Sequence, residues 1–518
     1  MNGPVILWNW LAFEERGEQD CACPDGTGEV VVLPSLQAEA IEDDCACPDG
    51  REAVLLASPV GRGVRRQRAS GLYRAALPDR HEVVFQPLGP AAVVVLNRTA
   101  AHILDAFALP ATPAQVLPRL PGLATDAFHR AVDHLSALNL LQPTEGRTPS
   151  PALPASPPTT LTAWLHLTSA CNLACTYCYL RLTGETMDVA TGRAALQAVF
   201  RTAQRHSFSA VKLKYAGGEP TLHFDLLQTL HREALALARQ TGLGLQEVVL
   251  SNGTRLDDGM LDFLRDAAIR LAISWDGPAH DAQRPFVGGR GSAARVARTI
   301  DRALARGLRP HLSITVTAHN AESLPEAVAF ALDRGLLFNL NFYRGTGRGT
   351  PLVPLTPDED RLIAALRQAL AVIEERLPPY SLIAGLLDRV SLAAPHRYPC
   401  GVGHAYLVVD PRGQIARCQM EIEHPVTDVW TEDPLTSLRV VNGGFQNLPV
   451  EQREGCRACP WRYWCAGGCP LLTHRLTGRS DRPSPYCRVY KTLFPEVLRL
   501  EGLRLLRWKD RRDQGAGR

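Results

Sequence analysis

Three cysteines near the middle of the chain have a spacing that could bind a metal cluster. Cys171, Cys175 and Cys178 form a C-x3-C-x2-C triad, and the next cysteine is Cys400. Thiolates are the usual ligands of iron–sulfur clusters, so three of them can hold three irons of a [4Fe–4S] cluster and leave the fourth iron open to a small molecule. The alternative is a zinc site, but structural zinc prefers four protein ligands and no fourth one lies nearby in the sequence.

A denser group of cysteines lies toward the C-terminus. Its seven members are Cys400, Cys418, Cys456, Cys459, Cys465, Cys469 and Cys487. Disulfide scaffolds are typical of small secreted domains, whereas clustered cysteines in a reducing compartment more often bind metals. This group therefore predicts metal sites, with a pair of structural zinc sites as the alternative to iron–sulfur clusters.

A short motif near the N-terminus is duplicated. Asp20–Gly26 (DCACPDG) recurs as Asp44–Gly50, and an apolar run follows each copy. Three interpretations remain open for its cysteines, which are Cys21, Cys23, Cys45 and Cys47. They could form a four-cysteine metal site, belong to a peptide substrate or substrate mimic carried in the same chain, or lie in a poorly ordered extension without a role.

Composition excludes several classes of protein. The chain has 56 Lys+Arg against 53 Asp+Glu, a net charge of +3, which gives no reason to expect nucleic-acid or membrane binding by charge. It has no apolar run of about 18 residues that could span a membrane. The apolar N-terminus has no preceding Lys or Arg, and Glu14 and Glu15 follow it, so a signal peptide is not expected. We expect a soluble, cytoplasmic protein.

The segment around the triad alternates strand and helix patterns. Six strand candidates occur at 161–167, 211–217, 247–253, 270–277, 311–317 and 338–343. Repeated strand–helix units predict a parallel sheet, and the first strand is not followed by a dinucleotide-binding glycine motif. We therefore predict an α/β fold with a partial (β/α)6 TIM-like barrel over 161–345, in which chemistry takes place at the C-terminal ends of the strands. The triad follows the first strand, at that end.

Other segments flank the predicted barrel. Residues 71–145 combine strand patterns with two helices and predict a winged-helix-like module. The remaining segments are an irregular extension (1–65), a Pro-rich linker (148–160), a helical connector (346–395), an irregular cysteine-rich domain (396–500) and a basic tail (501–518). We interpret the tail as a solvated helix end.

Two motifs in the barrel resemble a known family. CNLACTYCY, with Tyr177 just before the last cysteine, resembles the signature of radical S-adenosylmethionine (radical SAM) enzymes. AGGEP, which follows the second strand, resembles the segment with which that family binds the methionine amino group of its cofactor. The resemblance implies a catalytic [4Fe–4S] cluster, S-adenosylmethionine, and cofactor-binding roles for Tyr177, Gly217, Gly218, Glu219 and Pro220.

Two further cofactor residues follow from the same resemblance. ISWDGP ends the fourth strand, and HDAQRPFVGGRGS resembles a segment whose arginine helps to bind the cofactor in related maturases. On this basis we assign Ser274 and Arg284 to the cofactor site.

The C-terminal cysteines resemble the SPASM domain of radical SAM peptide maturases. The resemblance implies one auxiliary [4Fe–4S] cluster on Cys456, Cys459, Cys465 and Cys487, and a second on Cys400, Cys418 and Cys469. The fourth ligand of the second cluster stays open between a free iron position, His404 and a substrate thiolate. Sulfatase-maturing relatives have an Asp where this chain has Gln419, and an amide is no useful base near neutral pH, which argues against sulfatase maturation.

The N-terminal module completes the resemblance. VVVLNRTAAHILDAF (93–107) resembles the winged-helix element that binds a precursor's leader peptide as an added strand, although a structural or nucleic-acid-binding winged helix would have a similar pattern. The resemblance implies a maturase that forms a C–S or C–C crosslink, or a related oxidation, in a ribosomally made peptide, with an external one-electron reductant. The alternatives are a whole-protein or non-peptide substrate, or a non-catalytic iron–sulfur or zinc protein, which would not need AGGEP.

Overall fold

The structure, a computed structural model, describes residues 3–8, 62–89, 91, 93–145, 158–345, 355–441 and 443–508. Both copies of the duplicated motif, with Cys21, Cys23, Cys45 and Cys47, lie outside the described residues. The three interpretations of that motif therefore remain predictions. Most of the Pro-rich linker and the end of the basic tail also lie outside.

The N-terminal unit is a four-stranded antiparallel sheet, order β1-β5-β4-β3, packed against helices, with a separate two-stranded sheet of β2 and β6. Its elements are β1 (Ile6–Trp8), β2 (Arg66–Arg68), β3 (Tyr73–Leu77), β4 (His81–Phe85), β5 (Val94–Leu96), α1 (Arg98–Ala106), α2 (Pro113–Val116), α3 (Thr125–Ala137) and β6 (Leu141–Pro143). The Asn97 side chain caps α1 by accepting the N–H of Ala100 at 2.9 Å. β1 was not predicted, because it lies in the segment that we interpreted as irregular.

The central unit is the predicted α/β barrel segment. Six parallel strands follow the order β12-β11-β10-β9-β8-β7. Its elements are β7 (Thr160–Thr168), α4 (Val189–Arg205), β8 (Ala210–Gly217), α5 (Phe224–Thr241), β9 (Gly244–Ser251), α6 (Asp258–Asp266), β10 (Arg270–Ser274), α7 (His280–Gln283), α8 (Ala293–Ala305), β11 (His311–Val316), α9 (Leu324–Asp333), β12 (Phe338–Phe342) and α10 (Glu359–Glu375). The prediction of a mostly parallel α/β sheet is confirmed.

The cysteine-rich segment extends the barrel sheet. Its elements are β13 (Tyr406–Val409), β14 (Gln414–Ala416), β15 (Thr427–Asp428), α11 (Pro434–Arg439), α12 (Arg462–Cys465), α13 (Pro470–Thr477) and α14 (Cys487–Trp508). β13 pairs in parallel with β7, with Tyr406 opposite Thr162, and β14 and β15 follow as antiparallel strands. The nine-stranded sheet was not predicted, because strands of two to four residues carry little periodic signal.

The interpretation of the tail as a solvated helix end is wrong as far as residue 508. α14 runs across the expected boundary at 500, and Leu498, Arg504 and Leu505 are buried. Arg504 is buried because it pairs with Glu501 at 2.6 Å. At Gly502, an added Cβ would lie 3.0 Å from a methyl group of Leu77, so this helix packs closely against the N-terminal sheet.

The predicted helical connector is helical only in part. Within 355–395, α10 is the one helix, and the described residues after it, 376–395, form neither helix nor strand. In the described portion of the chain, no helix has both the length and the apolar character needed to cross a membrane.

Candidate functional site

The cysteine triad lies in the loop after β7, and backbone hydrogen bonds join this loop to residues 283–287. Ala174 N–H donates to the Pro285 carbonyl at 2.8 Å, and Thr176 N–H donates to that of Gln283 at 2.9 Å. In return, the N–H of Val287 donates to the Asn172 carbonyl at 3.0 Å. The segment after α7 is therefore a backbone clamp that fixes the spacing of the three thiols.

The glycines of AGGEP allow β8 to end directly against the triad loop. Gly218 N–H donates to the Thr168 carbonyl at 2.7 Å, and Glu219 N–H donates to that of Ala170 at 2.9 Å. A Cβ at Gly217, where φ is +145°, would lie 2.3 Å from the Thr168 carbonyl oxygen, and one at Gly218 would lie 2.1 Å from that of Ala170. Only glycine fits at these two positions. The two motifs are thus one structural unit.

Glu219 is fully buried and joins the ends of β8 and β9. Its carboxylate accepts hydrogen bonds from Thr221 N–H (3.1 Å), Thr221 Oγ1 (2.6 Å), Ser251 Oγ (2.9 Å) and Asn252 N–H (2.7 Å). Burial raises its pKa, and these donors oppose that rise. The contacts favour a positioning role for Glu219. Its direct contact with a cofactor amino group stays a prediction.

Asn252 is a site residue that the sequence analysis missed. Its Nδ2 lies 3.7 Å from Cys171 Sγ and donates to Asn172 Oδ1 at 2.9 Å, while Asn172 Nδ2 donates to Thr254 Oγ1 at 2.8 Å. The end of β9 therefore supports the first cysteine directly. The signal was present in LSNGT, in which polar residues follow a buried strand at the catalytic end of the sheet.

Asp276, also missed, is the centre of a buried polar cluster beside Cys175. It accepts hydrogen bonds from Tyr177 Oη at 2.5 Å, Arg284 Nε at 2.7 Å and Thr315 N–H at 2.9 Å. The Arg284 guanidinium also lies over the Tyr177 ring, 5.0 Å from its centroid. Arg284 and Tyr177 are thus brought together at the triad, with Asp276 as their shared partner. The sequence signal for Asp276 was the motif ISWDGP, in which the aspartate follows a buried strand.

Two other predicted cofactor residues lie at strand ends of the same sheet. Ser274 is the last residue of β10, half-buried, and opposite Ser313 of β11. Pro220 is buried and begins a short 3-10 turn after β8. Both residues lie at the C-terminal ends of strands, where the active sites of barrels are found. Their roles in binding the cofactor stay predictions.

Burial affects the ionisation of the triad thiols. Burial raises the pKa of Cys171 to about 11 and that of Cys175 to about 12, so both need a bound cation to become thiolates near neutral pH. Cys178 lies near enough to both to influence them electrostatically. Among the described residues, no three His, Cys, Asp or Glu donors converge as the ligands of one metal ion do. Burial of the thiols fits metal-bound cysteines, and the choice between a [4Fe–4S] cluster and zinc rests on the sequence motifs.

The structure also groups four of the C-terminal cysteines. Cys465 interacts electrostatically with Cys456, Cys459 and Cys487, and burial raises its pKa to about 12. The pKa of Cys456 is raised to about 11, again by burial first. These are the four residues that the resemblance assigns to one auxiliary cluster, and their ligand roles stay predictions.

Two cysteines of the other predicted group lie near a buried arginine. Arg453 is influenced electrostatically by Cys400 and Cys469 as well as by Cys456 and Cys465, and burial lowers its pKa. It donates to the Gly467 carbonyl at 3.1 Å.

Cys418 contacts the neighbouring residue Gln419. Its thiol donates to Gln419 Oε1 at 3.4 Å, and the same oxygen accepts the Tyr406 hydroxyl at 3.0 Å. His404 stacks on Tyr398 with ring centroids 4.0 Å apart. These contacts do not bring His404 and Cys418 together, and the fourth ligand of a second cluster stays open.

The sequence of this chain is similar to those of known proteins. The model of the radical SAM superfamily matches residues 165–331. The PqqA peptide cyclase of Xanthomonas axonopodis pv. citri (strain 306) is 28% identical over 366 residues, covering 64% of this chain and 88% of that protein. The mycofactocin maturase MftC of Mycobacterium ulcerans (strain Agy99) is 28% identical over 340 residues, covering 62% of this chain and 86% of that protein.

A solved structure shares the fold. Native anSMEcpe with bound AdoMet superposes with a TM-score of 0.56 at 18% identity, covering 66% of this chain and 99% of that one. The matched residues 165–331 begin inside β7 and include the triad loop, AGGEP and Asp276. The chain therefore contains a radical SAM domain, and this domain together with the similarity to peptide-modifying relatives indicates an enzyme.

Proposed function

We propose that this enzyme modifies a ribosomally made precursor peptide by radical chemistry. Cys171, Cys175 and Cys178 would hold a [4Fe–4S] cluster, which would supply the electron for the reductive cleavage of S-adenosylmethionine and so allow a hydrogen atom to be removed from the peptide. The product is a C–S or C–C crosslink or a related oxidation.

The contact between the triad loop and AGGEP carries this proposal. The close approach of Gly218 to Ala170 places the backbone of AGGEP beside Cys171. A purely structural metal site has no need for a second glycine-rich strand end packed against its ligand loop, whereas a cofactor bound to the fourth iron needs protein groups at that position. Asn252 and the Asp276 cluster hold the two sides of this site, so the reacting atoms are positioned by a rigid support.

A peptide substrate is supported by the N-terminal sheet and by the relatives. The names of the PqqA peptide cyclase and of the mycofactocin maturase refer to peptide cyclisation and to maturation. In this chain, Trp461 of the cysteine-rich segment stacks on Phe85 of β4 with ring centroids 4.8 Å apart. Trp464 Nε1 donates to the Pro87 carbonyl at 3.0 Å. A peptide bound to that sheet would lie beside the cysteine-rich segment.

The cysteine-rich segment would carry the surplus electron. Crosslink formation removes two hydrogen atoms from the peptide, of which one ends in 5′-deoxyadenosine and the other leaves as a proton and an electron. We propose auxiliary clusters on Cys456, Cys459, Cys465 and Cys487, and on Cys400, Cys418 and Cys469, as the route for this electron. The buried positive charge of Arg453 near both groups supports that role.

We also propose a cytoplasmic location and an external one-electron reductant. Closely spaced cysteines that bind metal clusters are typical of proteins in a reducing compartment.

Anaerobic reconstitution with iron and sulfide tests the proposal. With S-adenosylmethionine and a reductant, the wild-type chain should form 5′-deoxyadenosine, measured by mass spectrometry. Cys175→Ser, which removes one triad ligand, should reduce the product to background. Equal product from both proteins would refute the proposal.

A further inference from the structure

Two neighbouring side chains of the barrel sheet point into the barrel. The register of the parallel strands places Trp164 of β7 opposite Lys214 of β8, and Tyr215, the next residue of β8, is on the other face. Tyr215 Oη donates to Glu247 at 2.6 Å, and Glu247 Oε2 lies 2.7 Å from His231 Nδ1 of α5. The face with Tyr215 is therefore the one that the helices cover, and the face with Trp164 and Lys214 is the inward one.

Polar side chains line this inward face. Branched apolar side chains usually fill the interior of a barrel. Here the inward apolar residues of β9 and β10 form a small cluster of Val248, Leu250 and Ala272. The inward polar residues of the six strands include Thr162, His166, Lys212, Lys214, Gln246, Ser274, Ser313, Asn339 and Asn341. Such an interior suits a polar ligand better than a packed apolar core.

Lysine is rare in this chain, and two of its lysines lie on the inward face. Of the 56 Lys+Arg residues, four are lysines, namely Lys212, Lys214, Lys491 and Lys509. Lys212 is 8% exposed and Lys214 is 1% exposed, whereas lysines are almost never fully buried without a partner. Because arginine supplies nearly all the other positive charge, two buried lysines on one strand indicate a specific need for ammonium groups at this place.

The charge that the six strands place inside the barrel is positive. Their inward charged residues are Lys212, Lys214 and Arg270, and the one carboxylate within these strands, Glu247, is on the outward face. Both lysines have contacts within the folded chain, as buried ammonium groups require. An anionic ligand would bind in exchange for one of these contacts, whereas a cationic ligand would be repelled.

Lys214 and Trp164 together offer two hydrogen-bond donors. The Lys214 Nζ lies over the Trp164 ring, 5.4 Å from its centroid. Trp164 is 8% exposed, and in the described part of the chain its buried Nε1 has no hydrogen-bond partner. A buried indole N–H without an acceptor costs free energy, which a ligand that supplies the acceptor would recover. A carboxylate can accept from the indole and pair with the ammonium at the same time.

Ring contacts connect this pair of residues to the cysteine triad. Trp164 stacks on His166 with ring centroids 6.1 Å apart, and His166 meets the edge of Tyr179 at 6.2 Å. Tyr179 directly follows Cys178. Lys214 lies three residues before the end of β8, which is about 10 Å along the strand. A group bound at Lys214 would therefore lie deeper in the barrel than the triad loop, next to the reacting part of a substrate.

We propose that Trp164 and Lys214 form a recognition site for a carboxylate of the peptide substrate. Lys212, two residues earlier on the same face of β8, adds positive charge to this site. The inference rests on the proposed function and names a chemical requirement of its substrate. Both residues act in binding and specificity, not in the transfer of the hydrogen atom.

Binding of short peptides to the iron-loaded full chain tests this site. Calorimetry compares acetyl-Gly-Glu-Gly-amide and acetyl-Gly-Asp-Gly-amide with the neutral acetyl-Gly-Gln-Gly-amide and with acetyl-Gly-Gln-Gly that has a free C-terminal carboxylate. A probe with the recognised carboxylate should bind at least about tenfold more tightly than the neutral probe, because it pairs with a charged donor. Tight binding of the Glu or Asp probe identifies a side chain as the source of the carboxylate, and tight binding of the last probe identifies the peptide C-terminus.

Substitutions at the site should remove this preference. Lys214→Met keeps a long side chain without the charge and should bind carboxylate and neutral probes equally, whereas Lys214→Arg should keep part of the preference. Trp164→Phe keeps a ring, lacks the indole N–H and should weaken the binding of carboxylate probes severalfold. Arg193→Met, which removes an exposed cation on α4, is the matched control and should keep the full preference.

Lysine labelling gives a second readout that needs no substitution. With carbon-13 at the lysine Cε atoms, the wild-type chain has four labelled side chains. In nuclear magnetic resonance spectra, the carboxylate probes should shift the signals of Lys212 and Lys214. The signal of Lys491, which is exposed on α14, should stay unchanged.

Each result decides a separate claim. Equal binding of carboxylate and neutral probes, or no binding of either, would overturn the recognition site, as would an unchanged preference in Lys214→Met. Loss of carboxylate-probe binding when S-adenosylmethionine is added would also overturn it, because the lysines would then bind the carboxylate of the cofactor. Failure of the proposed function would instead appear as absence of 5′-deoxyadenosine from the iron-loaded wild-type chain, whichever probes bind.

Discussion

Gly218 and Ala170 approach each other so closely that no side chain fits between them: a Cβ at 218 would lie 2.1 Å from the Ala170 carbonyl oxygen. This contact joins the end of β8 to the triad loop. We predict that Gly218→Ala displaces this loop, because the backbone carbonyl of Ala170 cannot move aside as a flexible side chain could. The variant should lower both the iron content of the cluster and the formation of 5′-deoxyadenosine at least about tenfold. Iron analysis and product quantification would measure both.

Gly259→Ala is the matched control for this change. Gly259 lies in the helix α6, where the nearest atom to an added Cβ is 3.5 Å away, so this variant should keep its iron and activity. If Gly218→Ala retained both as well, the proposed coupling of the two motifs would be wrong.

Asp276 neutralises the buried Arg284, and replacement of Asp276 should lower the stability of the folded protein. Asp276→Asn leaves Arg284 charged and buried without its carboxylate partner, which we expect to lower the free energy of unfolding by about 3–5 kcal/mol. The double variant Asp276→Asn with Arg284→Gln removes both charges and should recover part of that loss. Denaturant unfolding of these two variants and of Arg284→Gln alone measures the coupling. Additive losses would contradict the proposed pairing.

His280 should make stability depend on mildly acidic pH. Burial lowers its pKa from 6.5 to about 4, with Asp276 and Asp281 opposing this shift and Arg284 adding to it. The folded state therefore binds fewer protons than the unfolded state between these values. The stabilisation is complete above pH 6.5 and is lost as pH falls toward 4, a change of roughly 3 kcal/mol at most.

His280→Asn is the control for this pH dependence. His280 Nδ1 accepts the Asp276 N–H at 3.2 Å, and an asparagine oxygen offers a similar acceptor that does not titrate. Between pH 4 and 7, the free energy of unfolding should change less with pH for the variant than for the wild type. Identical pH dependence in the two proteins would rule out His280 as the source.

Arg453 should tune the cysteine-rich region through its charge. Arg453→Met removes a buried cation near Cys400, Cys456 and Cys469. If clusters bind there, their reduced forms lose stabilisation and their reduction potentials become more negative. Redox titration followed by electron paramagnetic resonance measures this, and Arg453→Lys, which keeps the charge, should lie closer to wild type. Unchanged potentials in Arg453→Met would contradict the proposed role.

Cys487 should be needed for iron in the C-terminal region but not for the catalytic cluster. It is the first residue of α14 and interacts electrostatically with Cys459. Cys487→Ser should therefore lower total iron by about one cluster, while 5′-deoxyadenosine still forms in the absence of a peptide product. Unchanged iron content would refute its ligand role.

The barrel strands were predicted well, because each strand is marked by the apolar pattern of its own residues. β7 and β8 are short segments in which apolar residues recur at close intervals, and both appear within two residues of their predicted bounds. The pairing of β13 with β7 was not predicted, because it joins residues far apart in sequence. The burial of Arg504 was also missed, because it depends on the sheet beneath α14 and on the charge of Glu501.

The sequence predicted candidate cluster ligands but not the residues that support them. The spacing of Cys171, Cys175 and Cys178 is visible in the sequence, because cluster ligands are usually cysteines. Asn252 and Asp276 were missed, because a residue type that occurs at many strand ends shows its role only when its partners are known. The sequence motif pointed to Ser274, whereas the hydrogen bonds centre on Asp276 two residues later.

The most direct test of the account is 5′-deoxyadenosine formation by the iron-loaded full chain, compared with its Cys171→Ser variant. The account predicts that the wild type cleaves S-adenosylmethionine in a reductant-dependent reaction and that the variant gives only background. Cleavage by the variant at the wild-type rate, or none by a wild-type chain with a full iron complement, would contradict the assignment of the Cys171 loop as the catalytic centre.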